Sequence, residues 1–289
     1  MSAEIASVTD DLATEIAGEH QSARLLRGVA RHVALFQARN VVRGRWILSY
    51  TTFFLLATEA LLRFSGNRAG TILSLANIVL YVVPLVTLVV GSVYLYNARE
   101  FIELLLAQPV DRRRLFLGLY GGLTLPLALS ICVGIAAPFL VRGFASTSDG
   151  ILLLILLAVA IALTMSFSGI ALAIALSCDD RLRGLTASIG VWLLGAVVYD
   201  AGILVVVAAF SDYPLERPML ALTLLNPIDL ARVAIMLQLD VSALMGYTGA
   251  VFQQFLGGGT GLAVAFGCLA LWVVVPVALG AHKFSQKDF

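Results

Sequence analysis

The chain has 289 residues, 60% hydrophobic and 13% charged, with a net charge of +1 and a mean hydropathy of +0.95. Soluble domains carry about a quarter of their residues as charges, so this composition excludes an ordinary soluble protein. Net charge near zero says little about partners, and no nucleic-acid partner is expected; the distribution of the charge says more.

Residues 1–23 carry Glu4, Asp10, Asp11, Glu15 and Glu19 and no apolar core. That predicts a mobile cytoplasmic tail rather than a signal peptide. Residues 24–45 follow as an amphipathic helix. At 100° per residue Leu26, Val29, Ala30, Val33 and Phe36 share one face, and Arg24, Arg27, Arg31, Arg39, Arg43 and Arg45 cluster on the other. The pattern suits a helix lying on the membrane with its basic side toward anionic headgroups, or else a basic stretch that only sets topology.

Six apolar runs come next, near 46–63, 71–96, 115–141, 150–177, 184–210 and 260–282. Each is long enough for the ~18 to 20 residues that cross a ~30 Å hydrocarbon layer. The expected fold is therefore all-α, a polytopic membrane protein with six transmembrane helices over 46–289. Arginine and lysine fall in alternate gaps: Arg99 and Arg112 to Arg114 between runs two and three, Arg181 and Arg183 between four and five, Lys283 and Lys287 after six. The positive-inside rule then puts both termini in the cytoplasm, as an even number of spans requires.

The gap between runs two and three holds Arg99-Glu-Phe-Ile-Glu-Leu-Leu-Leu-Ala-Gln-Pro-Val-Asp-Arg112. Residues 98–108 can form three helical turns, with Arg99, Glu100 and Glu103 polar and Phe101, Leu104 and Leu105 apolar, and Pro109 stops the helix. A short amphipathic helix at a membrane surface suits docking in a partner's groove, or resting on lipid. The gap 211–259 is too long for a turn and too polar for a seventh span. Asn226-Pro-Ile-Asp229 reads as a helix start, with Asn at the cap, Pro at the first position and Asp against the positive dipole end. One helix is expected to about Asp240 and a second from 242 to 256, as re-entrant or surface helices.

Asp200 is the one ionisable residue deep in a run, and a carboxylate there costs roughly 2.5 to 3.5 kcal/mol on insertion scales. It either lines a transport path or is a structural group bonded to a neighbouring helix. An intramembrane aspartyl protease would need two membrane carboxylates on facing helices, and Asp200 has no obvious twin. Glu59 has Arg63 one turn on, the spacing of a helical ion pair. No P-loop is encoded, since the only lysines are Lys283 and Lys287, and H-E-x-x-H and G-x-S-x-G are both missing. The chain is not expected to be an enzyme or to bind a cofactor or metal. Met219, Met236 and Met245 lack a Met, Cys or His at ligand spacing, and Cys132, Cys178 and Cys268 form no C-x-x-C.

Arg99-Glu100 followed by Leu104-Leu-Leu-Ala-Gln108-Pro109-Val-Asp111-Arg112 resembles the first cytoplasmic loop of ABC type-2 permeases. The run ending in Gln108-Pro109-Val110, with Leu225-Asn-Pro-Ile-Asp229, is most similar to the permeases that serve maturation of nitrous-oxide reductase. The resemblance covers residues 24–289, and it departs at Phe101-Ile102, where many relatives carry Gly-Thr. It implies an inner-membrane subunit that pairs with a second copy of itself and with two separate ATPase chains, which bind ATP and Mg. Arg99, Glu100, Glu103, Leu104, Leu105, Gln108, Pro109, Asp111 and Arg112 would form the ATPase contact. The subunit would help mature copper centres by moving a sulfur-containing or copper-related species or by transmitting mechanical work. A periplasmic accessory protein would dock on the outer segment at Asp229, Arg232, Met236, Leu237 and Asp240. An exporter of lipid or drug-like molecules, or a membrane anchor without transport, remains the alternative.

Overall fold

The computed structural model describes residues 45–65, 68–107, 111–143, 147–210, 216–238 and 258–287, and every regular element among them is helical. In chain order these are α1 (Arg45–Phe64), α2 (Arg68–Asn97), α3 (Arg99–Leu106), α4 (Arg112–Arg142) and α5 (Thr147–Ser177). The chain continues as α6 (Arg181–Leu193), passes through a π-helical turn at Leu194–Val198 and becomes α7 (Tyr199–Ala209). It closes with α8 (Glu216–Leu225), α9 (Pro227–Met236) and α10 (Gly258–Gln286). Six paths are long and apolar enough to cross a membrane: α1, α2, α4, α5, α6 with α7, and α10. They coincide with the six apolar runs of the sequence.

Capping explains several of the boundaries. Asp111 is extended and accepts from the Arg113 N–H at 3.0 Å to start α4. Asp180 accepts from the Leu182 N–H at 3.1 Å to start α6. Asn226 accepts from the Ile228 N–H at 3.0 Å, with Pro227 next to it, and starts α9. Each supplies an acceptor to an N–H that has no partner inside its helix.

Successive spans alternate in direction, so the two ends of the bundle differ. One end carries α3, the α5–α6 turn and the tail of α10. The other carries the α1–α2 and α4–α5 turns with α8 and α9. At that second end Glu59 accepts from Arg63 at 2.9 Å and also from Arg142 on α4 at 2.5 Å, so the expected helical pair extends to a neighbouring span.

In the bundle α5 lies centrally, against α2 on one side and α10 and α4 on the others, while α1 packs on α4. Phe54, Leu75, Leu88, Ile102, Phe116, Ile131, Leu163 and Phe284 belong to one continuous buried core. Helices approach most closely at glycine, as membrane helices commonly do. At Gly134 a Cβ would lie 2.6 Å from the Phe54 Cβ and 3.1 Å from the Thr51 carbonyl oxygen, so α4 meets the backbone of α1 directly. The fifth span is different, because almost none of α6 and α7 is buried. Leu194, Val198, Leu204 and Val205 lie exposed along it, and in a membrane such a face meets lipid or another chain.

Some sequence expectations changed or fall elsewhere. The amphipathic helix at 24–45 lies outside the described residues apart from Arg45, where α1 begins, and the helix expected at 242–256 lies outside them too. The helix from Asn226 stops at Met236 rather than near Asp240. Helix α8 was not expected, although Glu216 and Pro218 sit in its first turn as start signals do. The π turn in the fifth span was not foreseen either, since uniformly apolar sequence carries no periodic mark of it.

Candidate functional sites at the two bundle ends

Helix α3 has only eight residues, far too few to be stable alone. It is held by its contacts. Ile102 is fully buried, and Phe101, Leu105 and Leu106 pack partly against the core. Glu100 and Glu103 are exposed, and Leu104 is 71% exposed. The free face of the helix is thus Glu100, Glu103 and Leu104. Leu105, expected at a partner contact, turns toward its own bundle instead. Gln108 and Pro109 lie outside the described residues.

Arg99, at the start of α3, also faces inward. Its guanidinium donates to the carbonyl oxygens of Cys178 and Asp179, both at 3.0 Å, and lies 4.9 Å over the Tyr96 ring. The Tyr96 hydroxyl donates to the same Cys178 oxygen at 3.0 Å. The turn after α5 is gripped from the other side by the chain's tail. Lys287 donates to the Leu176 carbonyl at 2.8 Å and to the Asp179 carboxylate at 2.9 Å, and Lys283 donates to the Ser177 hydroxyl at 2.7 Å. The Lys287 ammonium holds the Asp179 carboxyl below its ordinary range. Arg112, at the start of α4, donates to the carbonyls of Ser285 and Lys287. Asp111 caps α4 with one oxygen and pairs with Arg114 at 3.4 Å through the other. Tyr96, Asp179 and Lys287 escaped the sequence reading because their contacts are long-range and carry no local pattern.

At the opposite end, α9 packs against α10, α5 and α2. Every residue from 227 to 235 except Arg232 is buried. Asn226, Asp229 and Arg232 are three residues apart and share one face. Asn226 donates through its amide to the Gly195 carbonyl at 2.8 Å, inside the π turn. Arg232 donates to Asp229 at 2.9 Å, to Asp200 on α7 at 2.9 and 3.3 Å, and to the Tyr81 hydroxyl on α2 at 3.1 Å. Asp200 is therefore bonded to a neighbouring helix. A second carboxylate beside Asp200 comes from α9, but Arg232 bonds to both and neither is a free general base. Asp229 and Arg232, expected on an outer rim, point into the bundle. Leu237 is 7% exposed and Met236 is partly buried beside Val233. Asp240 lies outside the described residues. Among those described, no cluster of His, Cys, Asp or Glu could hold a metal.

Residues 78–289 match the family described as ABC-2 family transporter protein. The chain is similar to the probable ABC transporter permease protein NosY of Pseudomonas aeruginosa, 23% identical over 262 residues, covering 85% of this chain and 94% of that protein. It is also similar to the probable NosY permease of Stutzerimonas stutzeri, 24% identical over 278 residues, covering 89% of this chain and 98% of that protein.

Proposed function

This chain belongs to the ABC-2 family of transporter proteins, as a multi-pass permease component, and we propose that a separate ATPase subunit drives it through the free face of α3. The observation that supports this reading is the split of α3 into two faces. Ile102 anchors the helix to the spans, while Glu100, Glu103 and the exposed Leu104 stand free between α2 and α4. An apolar side chain flanked by carboxylates is a compact anchor for a groove with a basic rim.

Two ATPase chains would serve two copies of the permease, with the α3 end in the cytoplasm of a bacterium and both termini there. ATP and Mg belong to the ATPase. The likeness to NosY permeases supports a finer reading: the complex serves maturation of the copper centres of a periplasmic nitrous-oxide reductase, moving a sulfur-containing or copper-related species or transmitting mechanical work. An accessory protein on the periplasmic side would dock on the outer segment, where Asp240 and the residues after it continue from Met236 and Leu237.

Leu104→Asp tests the docking. Burying a leucine is worth about 1.5 to 3 kcal/mol, so the variant should bind the ATPase roughly ten- to a hundredfold more weakly. The membrane domain should unfold at the unchanged temperature, because Leu104 is mostly exposed. Undiminished co-purification of the ATPase would rule the docking out.

Orientation is tested by single cysteines at Arg113 and Thr147, introduced after the three native cysteines are replaced. In intact cells an impermeant thiol reagent should label position 147 and spare 113. The opposite pattern would invert the topology.

A further inference from the structure

The α3 end contains a linkage that docking does not use. Three elements converge on the carbonyl oxygens of Leu176, Cys178 and Asp179. Arg99 and Tyr96 reach it from the α2–α3 junction, and Lys287 reaches it from the tail of α10. The Arg99 bonds are charge-assisted, and two donors of one planar guanidinium engage two successive carbonyls, which fixes orientation as well as distance. Arg99 has thus committed two of its donors, one from each terminal nitrogen, within the chain.

The turn it grips leads straight into α6, and a second contact reinforces the connection. At Gly184, in the first turn of α6, a Cβ would collide with the Tyr96 hydroxyl oxygen, so Tyr96 is seated directly on the α6 backbone. Helices α6 and α7 are the least buried span of the bundle. Of α6 only Gly184 and Ser188 are buried. Ser188 and Trp192 bond to α2, and Gly195 and Asp200 further along bond to α9, so a push delivered at the start of the span meets less packing than one on α2, α4 or α5 would.

We infer that Arg99 is a positioning residue that carries displacement of α3 into the fifth span through the α5–α6 turn, and that it is not an ATPase contact. This rests on the reading that an ATPase docks on α3. Glu100, Glu103 and Leu104 receive the load, Arg99 and Tyr96 pass it to residues 178–184, and the span that moves is the one facing out of the bundle.

The experiment uses the full permease with its ATPase in lipid, and a reporter cysteine at Leu193, an exposed position on α6, in a background with the native cysteines replaced. Labelling by a maleimide is followed with and without ATP, and ATPase co-purification and unfolding temperature are measured on the same samples. Arg99→Gln should keep the ATPase bound within about twofold and keep the unfolding temperature, while the ATP-dependent change in labelling falls about fivefold or more, the range of a typical coupling between sites. Arg99→Lys, which keeps the charge but replaces the planar fork with a single ammonium nitrogen, should recover part of the response. Release of the ATPase by Arg99→Gln would overturn the inference and make Arg99 a docking residue. A reporter that ignores ATP in the parent chain, or responds equally in Arg99→Gln, would overturn it as well. Retention of the ATPase by Leu104→Asp would instead sink the docking reading on which the inference stands.

Discussion

Arg232→Leu should lower the stability of the folded chain by roughly 3 kcal/mol, the low end of what breaking a buried ion pair costs. Among the described residues the guanidinium is the only cation in contact with the two carboxylates, Asp200 and Asp229, and its removal leaves them facing each other. Asp229 keeps 5% of its side chain accessible, whereas Asp200 and Arg232 keep 29% and 25%. That partial exposure places the effect at the low end of the range. Asp200→Asn should be far milder, below about 1 kcal/mol, because Arg232 keeps Asp229 as its counter-ion and the amide oxygen can still accept. Unfolding in detergent by heat or denaturant reads both. If Asp200→Asn proved the more damaging of the two, the charge balance around Arg232 would be misassigned.

The sequence reveals what depends on local periodicity and charge. Six apolar runs and the alternation of basic gaps locate the spans, and Asn226-Pro227-Ile228-Asp229 locates the start of α9, because caps and apolar length are written in neighbouring residues. It also separates polar from apolar residues on α3. It does not show which apolar face is turned inward. Leu104 and Leu105 are chemically identical neighbours, and only the seating of Ile102 decides that Leu104 is exposed. The same holds for charge. Arg232 and Asp229 read as solvent-facing because they lie between two spans, yet α9 packs among α2, α5 and α10 and carries them to Asp200. Pairings such as Arg99 with residue 178, or Arg232 with Tyr81, join positions about 80 and 151 residues apart. No local rule reaches that far.

The charge cluster on α9 should also make stability depend on pH. Asp229 lies outside the six spans, and burial, reinforced by the neighbouring Asp200 carboxylate, pushes its carboxyl up to about 7 although Arg232 pulls it down. Two carboxylates and one guanidinium balance only when one carboxylate holds a proton, which is the physical reason for the direction. A carboxyl with a raised folded pKa binds its proton more tightly in the folded chain. Its contribution is therefore fully present below the unfolded value near 4 and is lost as pH climbs toward 7. Tyr81, Asn226 and Tyr199 are the other polar groups near it. The carboxyl of Asp179 moves the opposite way, so its effect falls below pH 4, outside this window. Stability measured by denaturation between pH 5 and pH 8 should fall with rising pH for the parent chain, by a few kcal/mol across the window, since each tenfold difference in proton affinity between the folded and unfolded chain is worth about 1.4 kcal/mol. Asp229→Asn removes the titrating group while keeping an acceptor for Arg232, so its profile should flatten and it should be more stable than the parent at pH 8. A parent profile that rises over this range, or an Asp229→Asn chain weaker than the parent at pH 8, would mean that Asp229 stays ionised in the folded state and that Arg232 alone offsets both carboxylates.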